Sequence, residues 1–590
     1  MKYKLYKNSN NENVKIRVLE NRGIKDVNRY LNLSDSEIIN YSLLSNMNAA
    51  VECFVKHFNN KSPIAILVDS DVDGYCSAAM MYLYIKKLDS NYPVSYILHK
   101  KAKAHGLSED VVIPEGTKLL IIPDASTNDY EQCEKIKEQG TDIIILDHHE
   151  KEFDNPNAII VNNQMSDGYE NKDFSGAGIV YKFLLALDSE FWVEYADEFL
   201  DLCAWANISD DMDMRSYETK HIVDKGLSNI QNDFLKALIK AQEFSIKGKI
   251  NIHNVQWYLT PVLNGMIRIG SDEDKELVFR AMIGDYEEFD YKKRGQTETI
   301  KENIFDRAAR ISKNAKSRQD NSRKSGIAKI IEVLGEQNPE NKVVVADVTT
   351  ILDEGLTGVV AIKVAEHFNK PCILLKEMKT DDNTKVFGGS MRNFDNSPID
   401  SFKDIINSCP SFNYCMGHPN AAGISINADN VENGIQELNE RLKNVVYDTT
   451  YRVDFIKDMN DVDFVLINEM AQLENIVAKG IDTPLIAIEN IELRKQDFAV
   501  KGKNADTLQF SFNDIEFIIF GSNELLKWFD NCWDDNEIVM FDLVGEPKIN
   551  DFNGVRTIQV NIKDINFNGT KEGTDEDTED DEEAGWWLIV

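Results

Sequence analysis

Apolar residues in this chain gather into short unbroken runs. Ile64-Ala65-Ile66-Leu67-Val68 is wholly apolar, the pattern of a strand buried on both faces of a parallel sheet. Leu119-Leu120-Ile121-Ile122-Pro123 repeats it, and so does Ile143-Ile144-Ile145-Leu146 after Asp142. Leu200 to Ser209 is a fourth apolar element. Between 340 and 450, Val343-Val344-Val345-Ala346 and Pro371-Cys372-Ile373-Leu374-Leu375 predict strands of a second α/β unit, with a helix from Gly358 to Phe368 between them. Two Gly-rich returns follow, Gly388-Gly389-Ser390 and Gly417-His418-Pro419. From 480 to 565 the pattern turns to strands with short connections: Ile486 to Ile488, Leu508 to Phe512, Ile515 to Phe520, Ile538 to Val544 and Thr557 to Ile562. Five strands and one helical stretch, Leu525 to Phe529, suggest an OB-type barrel. Residues 1–60 read as a helical packing layer ending near Phe54 and Phe58.

Charge changes the picture in two places. The chain has 590 residues, room for several domains, and a net charge of −35. That balance argues against uniform adhesion to nucleic acid or an anionic membrane, yet it leaves room for a local basic channel. From Tyr286 to Glu336 large apolar residues thin out, and Lys292, Lys293, Arg294, Lys301, Arg307, Arg310, Lys313, Lys316, Arg318, Arg323 and Lys324 crowd in. Arg307, Arg310 and Lys313 share a helical face by their spacing, a candidate nucleic-acid track. At the other extreme, residues 571–583 hold nine acids and one lysine, a composition that predicts disorder. The chain closes on Gly585-Trp586-Trp587-Leu588-Ile589-Val590. An acidic stretch with an apolar tip, Glu572 to Val590, reads as a docking peptide for a replication or repair partner. No stretch of eighteen apolar residues is present, and the first residues lack a signal-peptide core. The eight cysteines are scattered without C-x-x-C spacing and read as reduced thiols of a cytoplasmic protein.

The ends of the apolar runs carry the chemistry. The first empties into Asp69-Ser70-Asp71-Val72-Asp73-Gly74. A calcium loop would place Glu at its twelfth position, where Met80 stands. Continued strand alternation would aim all three acids one way, although one could instead brace a histidine. The second run ends in Asp124, the third in Asp147-His148-His149, and the fourth element in Asp210-Asp211. Open α/β sheets keep their sites at the carboxyl ends of strands. Carboxylates gathered there repel one another unless cations neutralise them, and carboxylate with imidazole is a first-row metal donor set. Two divalent ions bridged by a shared carboxylate suit this inventory.

The ordered series Asp69-Ser70-Asp71-Val72-Asp73-Gly74, Asp124, Asp147-His148-His149 and Asp210 resembles the four motifs of the DHH phosphoesterase superfamily. Further stretches resemble its RecJ-like single-strand-specific exonucleases: His105-Gly106-Leu107, Phe174-Ser175-Gly176-Ala177-Gly178-Ile179, Thr260-Pro261-Val262-Leu263-Asn264-Gly265-Met266-Ile267-Arg268, Gly389-Ser390-Met391-Arg392 and Met416-Gly417-His418-Pro419-Asn420-Ala421-Ala422-Gly423. The chain departs from that pattern at Met416 and Ala206, where glycines are usual, and at Ala104-His105-Gly106, where the family has Gly-Tyr-Gly. The resemblance implies two α/β domains, a DHH-type parallel sheet and a smaller DHHA1-type domain, joined by a long helix and followed by an OB-like barrel. The expected divisions are 1–285 for the catalytic domain with N-terminal helices, 286–336 for the basic connecting helix, 337–450 for the substrate-binding domain, 451–568 for the OB-like domain and 569–590 for the tail. It further implies two Mn²⁺ or Mg²⁺ ions held by Asp69, Asp71, Asp73, Asp124, Asp147, His148, His149 and Asp210. Asp147, His148 and His418 are the expected catalytic groups. Arg268, Asn264, Ser390, Arg392 and His418, with Lys101 or Lys103, are expected to hold the substrate. The expected activity is 5′→3′ degradation of single-stranded DNA to nucleoside monophosphates. Two rivals remain open: a DHH phosphodiesterase of short oligonucleotides or cyclic dinucleotides, which would need neither barrel nor basic helix, and a non-catalytic DNA-binding scaffold, which would have no need of eight metal-competent positions.

Overall fold

A computed structural model of the chain describes every residue except 101–103, 109–110, 294, 296–297, 336–340, 353–355, 379–384, 395–396, 448–449, 503–506, 521–536, 553 and 573–590. Lys101, Lys103, the stretch Leu525 to Phe529 and most of the acidic tail lie outside the described residues. The chain divides into two units, Leu33–Asp448 and a second built from both chain ends, Met1–Asn32 with Thr449–Val590.

In the first unit the apolar runs become a parallel sheet. Its strands are β1 (Ile64–Val68), β2 (Val94–Leu98), β3 (Leu119–Pro123), β4 (Asp142–Asp147) and β5 (Ile159–Asn162), in the spatial order β2-β1-β3-β4-β5. Every residue of β1 and β3 is buried, which is why neither run alternates. Helix α1 (Val72–Leu88) follows β1, and α2 (Gly176–Phe191) and α3 (Leu200–Ser209) pack against it. The fourth apolar element is thus a helix, where the three apolar runs before it are strands. It is buried at nine consecutive positions, Leu200 to Ile208, so its pattern has no polar face to reveal the helical period.

Helix α4 (Thr260–Ile269) leads toward a long helix, α5 (Ile304–Leu334). At 31 residues and about 1.5 Å per residue, α5 is roughly 46 Å long. It packs closely on α4: a Cβ added to Gly265 would lie 3.2 Å from the Lys316 Cα. At its far end Ile330, with Ile327 and Leu334, enters the core of the second α/β half. The basic side chains of α5 are largely committed within the fold. The Arg307 guanidinium lies 4.2 Å from the centre of the Phe289 ring, and that of Arg310 lies 4.0 Å from the Tyr291 ring while pairing with Glu302. Lys313 donates to the Ala241 carbonyl, and Lys316 and Arg323 pair with Asp320. The expected basic track is therefore reduced, because the strands Glu288–Tyr291 and Ile300–Asn303 take up its first turns.

The second α/β half has β6 (Val344–Asp347), α6 (Thr357–Phe368), β7 (Cys372–Met378), β8 (Val386–Arg392), β9 (Phe412–His418) and β10 (Ala421–Asn427), with sheet order β9-β10-β8-β7-β6. Only β6 and β7 are parallel. Gly388-Gly389-Ser390 is no return but the middle of β8. A Cβ on Gly389 would lie 2.4 Å from the Leu374 carbonyl oxygen, so the glycine serves close strand packing.

The second unit corrects the expected first boundary. The strand Lys2–Leu5 pairs in parallel with Thr450–Val453. Helix Val14–Asn21 sends Val14 and Val18 into a core with Phe455, Met459 and Ile467. Arg22 grips the fully buried Asp454 with two bonds of 2.9 and 3.0 Å, and Asn21 adds a third at 2.9 Å. Residues 1–32 therefore belong with the C-terminal half and not with 33–285. Arg22→Ala leaves a buried carboxylate unpaired and is expected to destabilise this unit by about 3–5 kcal/mol, measured as the shift of its denaturant midpoint.

A seven-stranded mixed sheet follows in that unit, in the order Phe455–Asp458, Ile486–Arg494, Glu537–Phe552, Val555–Glu572, Ile515–Phe520, Thr507–Phe512, Ala499–Lys501. All five expected strands are present, with two more. The central pair runs to 16 and 18 residues, so Gly569 to Glu572, assigned to the tail by composition, are strand.

Candidate metal centre

The acids converge where β1, β3 and β4 end. Past β1 the chain does not continue as a strand. Asp71 caps α1 by accepting from the Gly74 N–H at 2.9 Å, so Asp73 sits in the helix's first turn. There it accepts from the Gly176 and Ala177 N–H groups, at 2.7 and 2.8 Å, at the start of α2. The expected strand-like alternation of the three acids is thereby replaced by a cap and a helix. Asp69 accepts from His105 Nδ1 at 2.7 Å and from the Gly106 N–H at 2.8 Å.

Asp124 is held in the left-handed region, φ 64°, a conformation an ordinary side chain adopts only when its surroundings impose it. Its N–H donates to the Leu146 carbonyl at 2.8 Å. The closeness of α2 to it explains Gly176: a Cβ there would lie 2.5 Å from the Asp124 Cβ. Asp147, fully buried, accepts from the Thr127 N–H at 3.1 Å, the His148 N–H at 2.7 Å and His149 Nδ1 at 2.7 Å. His148 Nε2 lies 3.3 Å from both Asp124 Oδ1 and Asp210 Oδ2 and 4.0 Å from Asp73 Oδ2. Neither His148 Nε2 nor Asp210 Oδ2 has a hydrogen-bond partner although both are buried, an arrangement that asks for a further ligand.

Among the described residues, three groups of donors at this edge of the sheet stand with their ligand atoms within 4.8 Å of one another: Asp124, Asp147, His148, His149; Asp73, His148, Asp210; and Asp69, Asp71, Asp124. Shared Asp124 and His148 link them, the donor set that two neighbouring divalent ions require. The electrostatics agree. Burial and the neighbouring Asp71 push Asp73 up to about 7, and burial with the surrounding carboxylates raises Asp124 and Asp210 well above the carboxylate range. Burial and the neighbouring His149 push His148 down to about 3, which keeps it neutral, the form that binds metal. Burial would raise Asp147, but His149 and His148 outweigh it and hold the carboxyl below its usual range. Partial desolvation of the ring works to lower His105, and the adjoining Asp69 carboxylate overrides it, pushing it up to about 10.

A pH dependence follows for metal-free protein. A carboxyl whose folded pKa is raised from 3.8 to about 7 stabilises the fold in acid and loses that contribution as pH rises through this window. Chelator-treated protein is expected to melt at falling temperature from pH 5 to 7, and Mn²⁺ to flatten the slope. Thermal melts with and without EDTA measure it.

On the side of the second α/β half, β8 ends at Arg392, whose guanidinium is lowered to about 10 by burial and by the nearby Arg268. Arg268 comes from α4, and its charge acts on that of Arg392, a repulsion that a bound anion would relieve. Gly358 leaves them space, since a Cβ there would lie 2.6 Å from Arg392 Nη2. Ser390 Oγ is 2.8 Å from Thr357 Oγ1 at the start of α6, and a helix start is itself an anion-binding element. Asn264, one turn before Arg268, has a buried Oδ1 without a partner. His418 closes β9, near enough to His148 for its charge to act there. Gly417, at φ 131°, could not carry a Cβ, which would lie 2.9 Å from the Ala422 Cα. Sequence reasoning missed Thr357 and Gly358, whose only signal is a Thr-Gly pair opening a helix, and His99. Both His99 nitrogens are buried without partners, with Nε2 3.6 Å from Asp69 Oδ1. A histidine closing an apolar strand was its signal.

A parallel sheet that gathers acids and histidines at its carboxyl edge, with a second α/β half that brings Arg392 near Arg268 of the first, is the architecture of the DHH class. Residues 63–206 match the DHH family's N-terminal domain, and residues 453–564 match the RecJ OB domain. A relative named as an SPbeta prophage-derived single-strand DNA-specific exonuclease, YorK, of Bacillus subtilis is 36% identical over 94% of this chain and 96% of its own length. The single-stranded-DNA-specific exonuclease RecJ of the same species is 26% identical over 91% of this chain and 65% of its own length. Among solved structures, RecJ of Thermus thermophilus in complex with Mn²⁺ shares the fold, with a TM-score of 0.72 and 16% identity over 94% of this chain and 76% of that one. The chain belongs to the RecJ-like branch of the DHH family. Among the described residues no helix is long and apolar enough to cross a membrane.

Proposed function

We propose that this protein is a metal-dependent exonuclease that degrades single-stranded DNA from the 5′ end to nucleoside 5′-monophosphates, serving recombination, repair or replication in the cytoplasm. One juxtaposition carries the reading. A nest of acids and imidazoles that calls for cations shares a unit with two guanidiniums whose charges act on each other and call for an anion, Arg268 and Arg392. A phosphodiester meets both demands. The names of the two Bacillus relatives point to the same substrate.

Two divalent ions, Mn²⁺ or Mg²⁺, would be held by Asp71, Asp73, Asp124, Asp147, His148, His149 and Asp210, and would supply Lewis acidity and a nucleophile of lowered pKa when bound. The protein's own groups do the rest. Asp147 fixes the ring of His149 through Nδ1 and offers an oxygen to the same cluster. His148 stays neutral and turns Nε2 to Asp124 and Asp210. His418 donates to a phosphate oxygen as charge develops on it. Arg392 and Arg268, with the start of α6, hold the terminal phosphate, Ser390 acts beside Thr357, and Asn264 orients the sugar-phosphate chain. Lys101 and Lys103 serve the flanking phosphates. The tail from Glu572 to Val590 serves as a docking peptide for a partner protein.

The test is digestion of 5′- and 3′-labelled single strands with Mn²⁺ and with EDTA. Early release of the 5′ label as a mononucleotide, abolished by EDTA, is the expected result. Early release of the 3′ label would reverse the polarity, and intact strands in Mn²⁺ would overturn the activity. Cleavage of dinucleotides with long strands left intact would favour the small-substrate phosphodiesterase.

A further inference from the structure

We propose that Asp69 is a positioning residue and not a metal ligand: it fixes His105, and His105 meets the substrate phosphate through Nε2. The proposal rests on the exonuclease reading for its substrate, but not for its account of Asp69.

Asp69 offers an oxygen within 4.8 Å of Asp71 and Asp124, so composition alone would rank it with the ligands. Its hydrogen bonds rank it otherwise. Oδ2 accepts from His105 Nδ1 at 2.7 Å, and Oδ1 accepts from the Gly106 N–H at 2.8 Å with His99 Nε2 3.6 Å away. Its side chain is 3% exposed. Both oxygens thus take their hydrogen bonds from one loop, the one that carries His105. Asp147 and Asp73 also accept on both oxygens, but each shares a donor group with His148, whereas the group of Asp69 contains no imidazole.

That loop is built to hold its place. The Leu107 N–H donates to Asp129 Oδ2 at 2.8 Å and to Ser126 Oγ at 3.0 Å. Gly106 adopts φ 62°, and a Cβ there would lie 2.4 Å from Asp129 Oδ2. Only a glycine lets the backbone approach both acids and still deliver its N–H to Asp69.

The consequence for His105 comes from its ring. A carboxylate partner obliges Nδ1 to donate, which leaves Nε2 as the working edge. The same brace stands beside it: Asp147 accepts from His149 Nδ1 at 2.7 Å, and the two rings meet edge to face with centroids 5.0 Å apart. Two carboxylate-braced histidines therefore stand next to each other at the metal centre. Yet His105 differs from His149. Among the described residues it joins none of the donor groups that could hold a cation, and its side chain is 54% exposed. A ring fixed rigidly, bordering the acids and open to solvent, is placed for what enters the site, and the phosphate is what enters.

The test uses the full-length protein and two readouts, the number of Mn²⁺ ions bound without DNA, from the resonance signal of free Mn²⁺, and kcat/KM on single-stranded DNA. Asp69→Asn is expected to bind the wild-type number of Mn²⁺ ions, whereas Asp124→Asn binds fewer. His105→Ala and Asp69→Asn are each expected to lower kcat/KM by about 10–100-fold, and the double variant by no more than His105→Ala alone, as for two residues acting as one unit. A missing Mn²⁺ ion in Asp69→Asn would make Asp69 a ligand and overturn the proposal, and so would multiplying losses in the double variant. Should Asp69→Asn not fold, the half-exposed His105 decides alone. Cleavage within twofold of wild type in His105→Ala overturns the proposal, and reduced cleavage with an unchanged Mn²⁺ count supports it. Wild-type protein inert on single strands would sink the exonuclease reading while leaving the Mn²⁺ count as a judgement on Asp69.

Discussion

Asp147→Ala is expected to lower kcat/KM on single-stranded DNA by at least ~10³-fold, equivalent to about 4 kcal/mol of transition-state stabilisation. The magnitude follows from how much one carboxylate does. It accepts from the Thr127 and His148 N–H groups and from His149 Nδ1, and it belongs to the donor group with Asp124, His148 and His149. Removing it deletes a proposed ligand, frees the His149 ring and loosens the turn after β4 in one step. Asp142 begins the same strand and pairs with Lys56, Lys137 and His57 away from the centre. Asp142→Asn is therefore the control, expected to keep activity within twofold. Steady-state digestion of a labelled single strand with Mn²⁺ measures both, and undiminished degradation by Asp147→Ala would remove the metal centre from the mechanism.

Gly176→Ala is expected to do through one methyl group what Asp147→Ala does through chemistry. The added Cβ would lie 2.5 Å from the Asp124 Cβ and 2.6 Å from its Cα, and backbone cannot step aside as a flexible side chain can. The Gly176 N–H also donates to Asp73, so displacing α2 disturbs two acids together. Overpacking of this kind costs about 1–3 kcal/mol, and the shift of Asp73 and Asp124 is expected to weaken Mn²⁺ binding by about 10–100-fold, the range for groups that orient metal ligands. Thermal melts and Mn²⁺ titration check the two effects separately. A variant that melts and binds Mn²⁺ as wild type does would mean that α2 approaches Asp124 less closely than described.

The cluster of candidate metal donors was legible in the sequence because its parts are local. Each acid lies at or just past the end of an apolar element, and unbroken apolar runs such as Ile64 to Val68 report a buried strand regardless of what surrounds it. The DHH-type sheet, the second α/β half, the five strands of the C-terminal domain and the acids and histidines of the centre were all set down in that form. So were the residues across from it, Arg268, Arg392 and His418, through their motifs. Geometry at the second level was not. The three acids of Asp69 to Asp73 read alike along the chain, yet one clamps a histidine loop, one caps a helix, and one receives two N–H groups from a helix start a hundred residues later. Which role falls to which acid depends on where α2 and the loop at Gly106 dock, and docking is a property of packing. The same holds for Leu200 to Ser209, where burial on all sides erased the helical period. Arg307 and Arg310, whose spacing promised a free basic face, spend their guanidiniums on the rings of Phe289 and Tyr291.

By itself, then, the amino-acid order determined which residues hold metal-type donors, the fold class that lines them up, and a family whose motifs span most of the chain. Tertiary structure alone decided how those donors divide their work and where the units end. Arg22 and Asp454 lie more than four hundred residues apart and form one buried ion pair, which draws the first 32 residues out of the catalytic unit. Local propensity records what a segment tends to form, and it holds no record of which distant segment removes a charge from water.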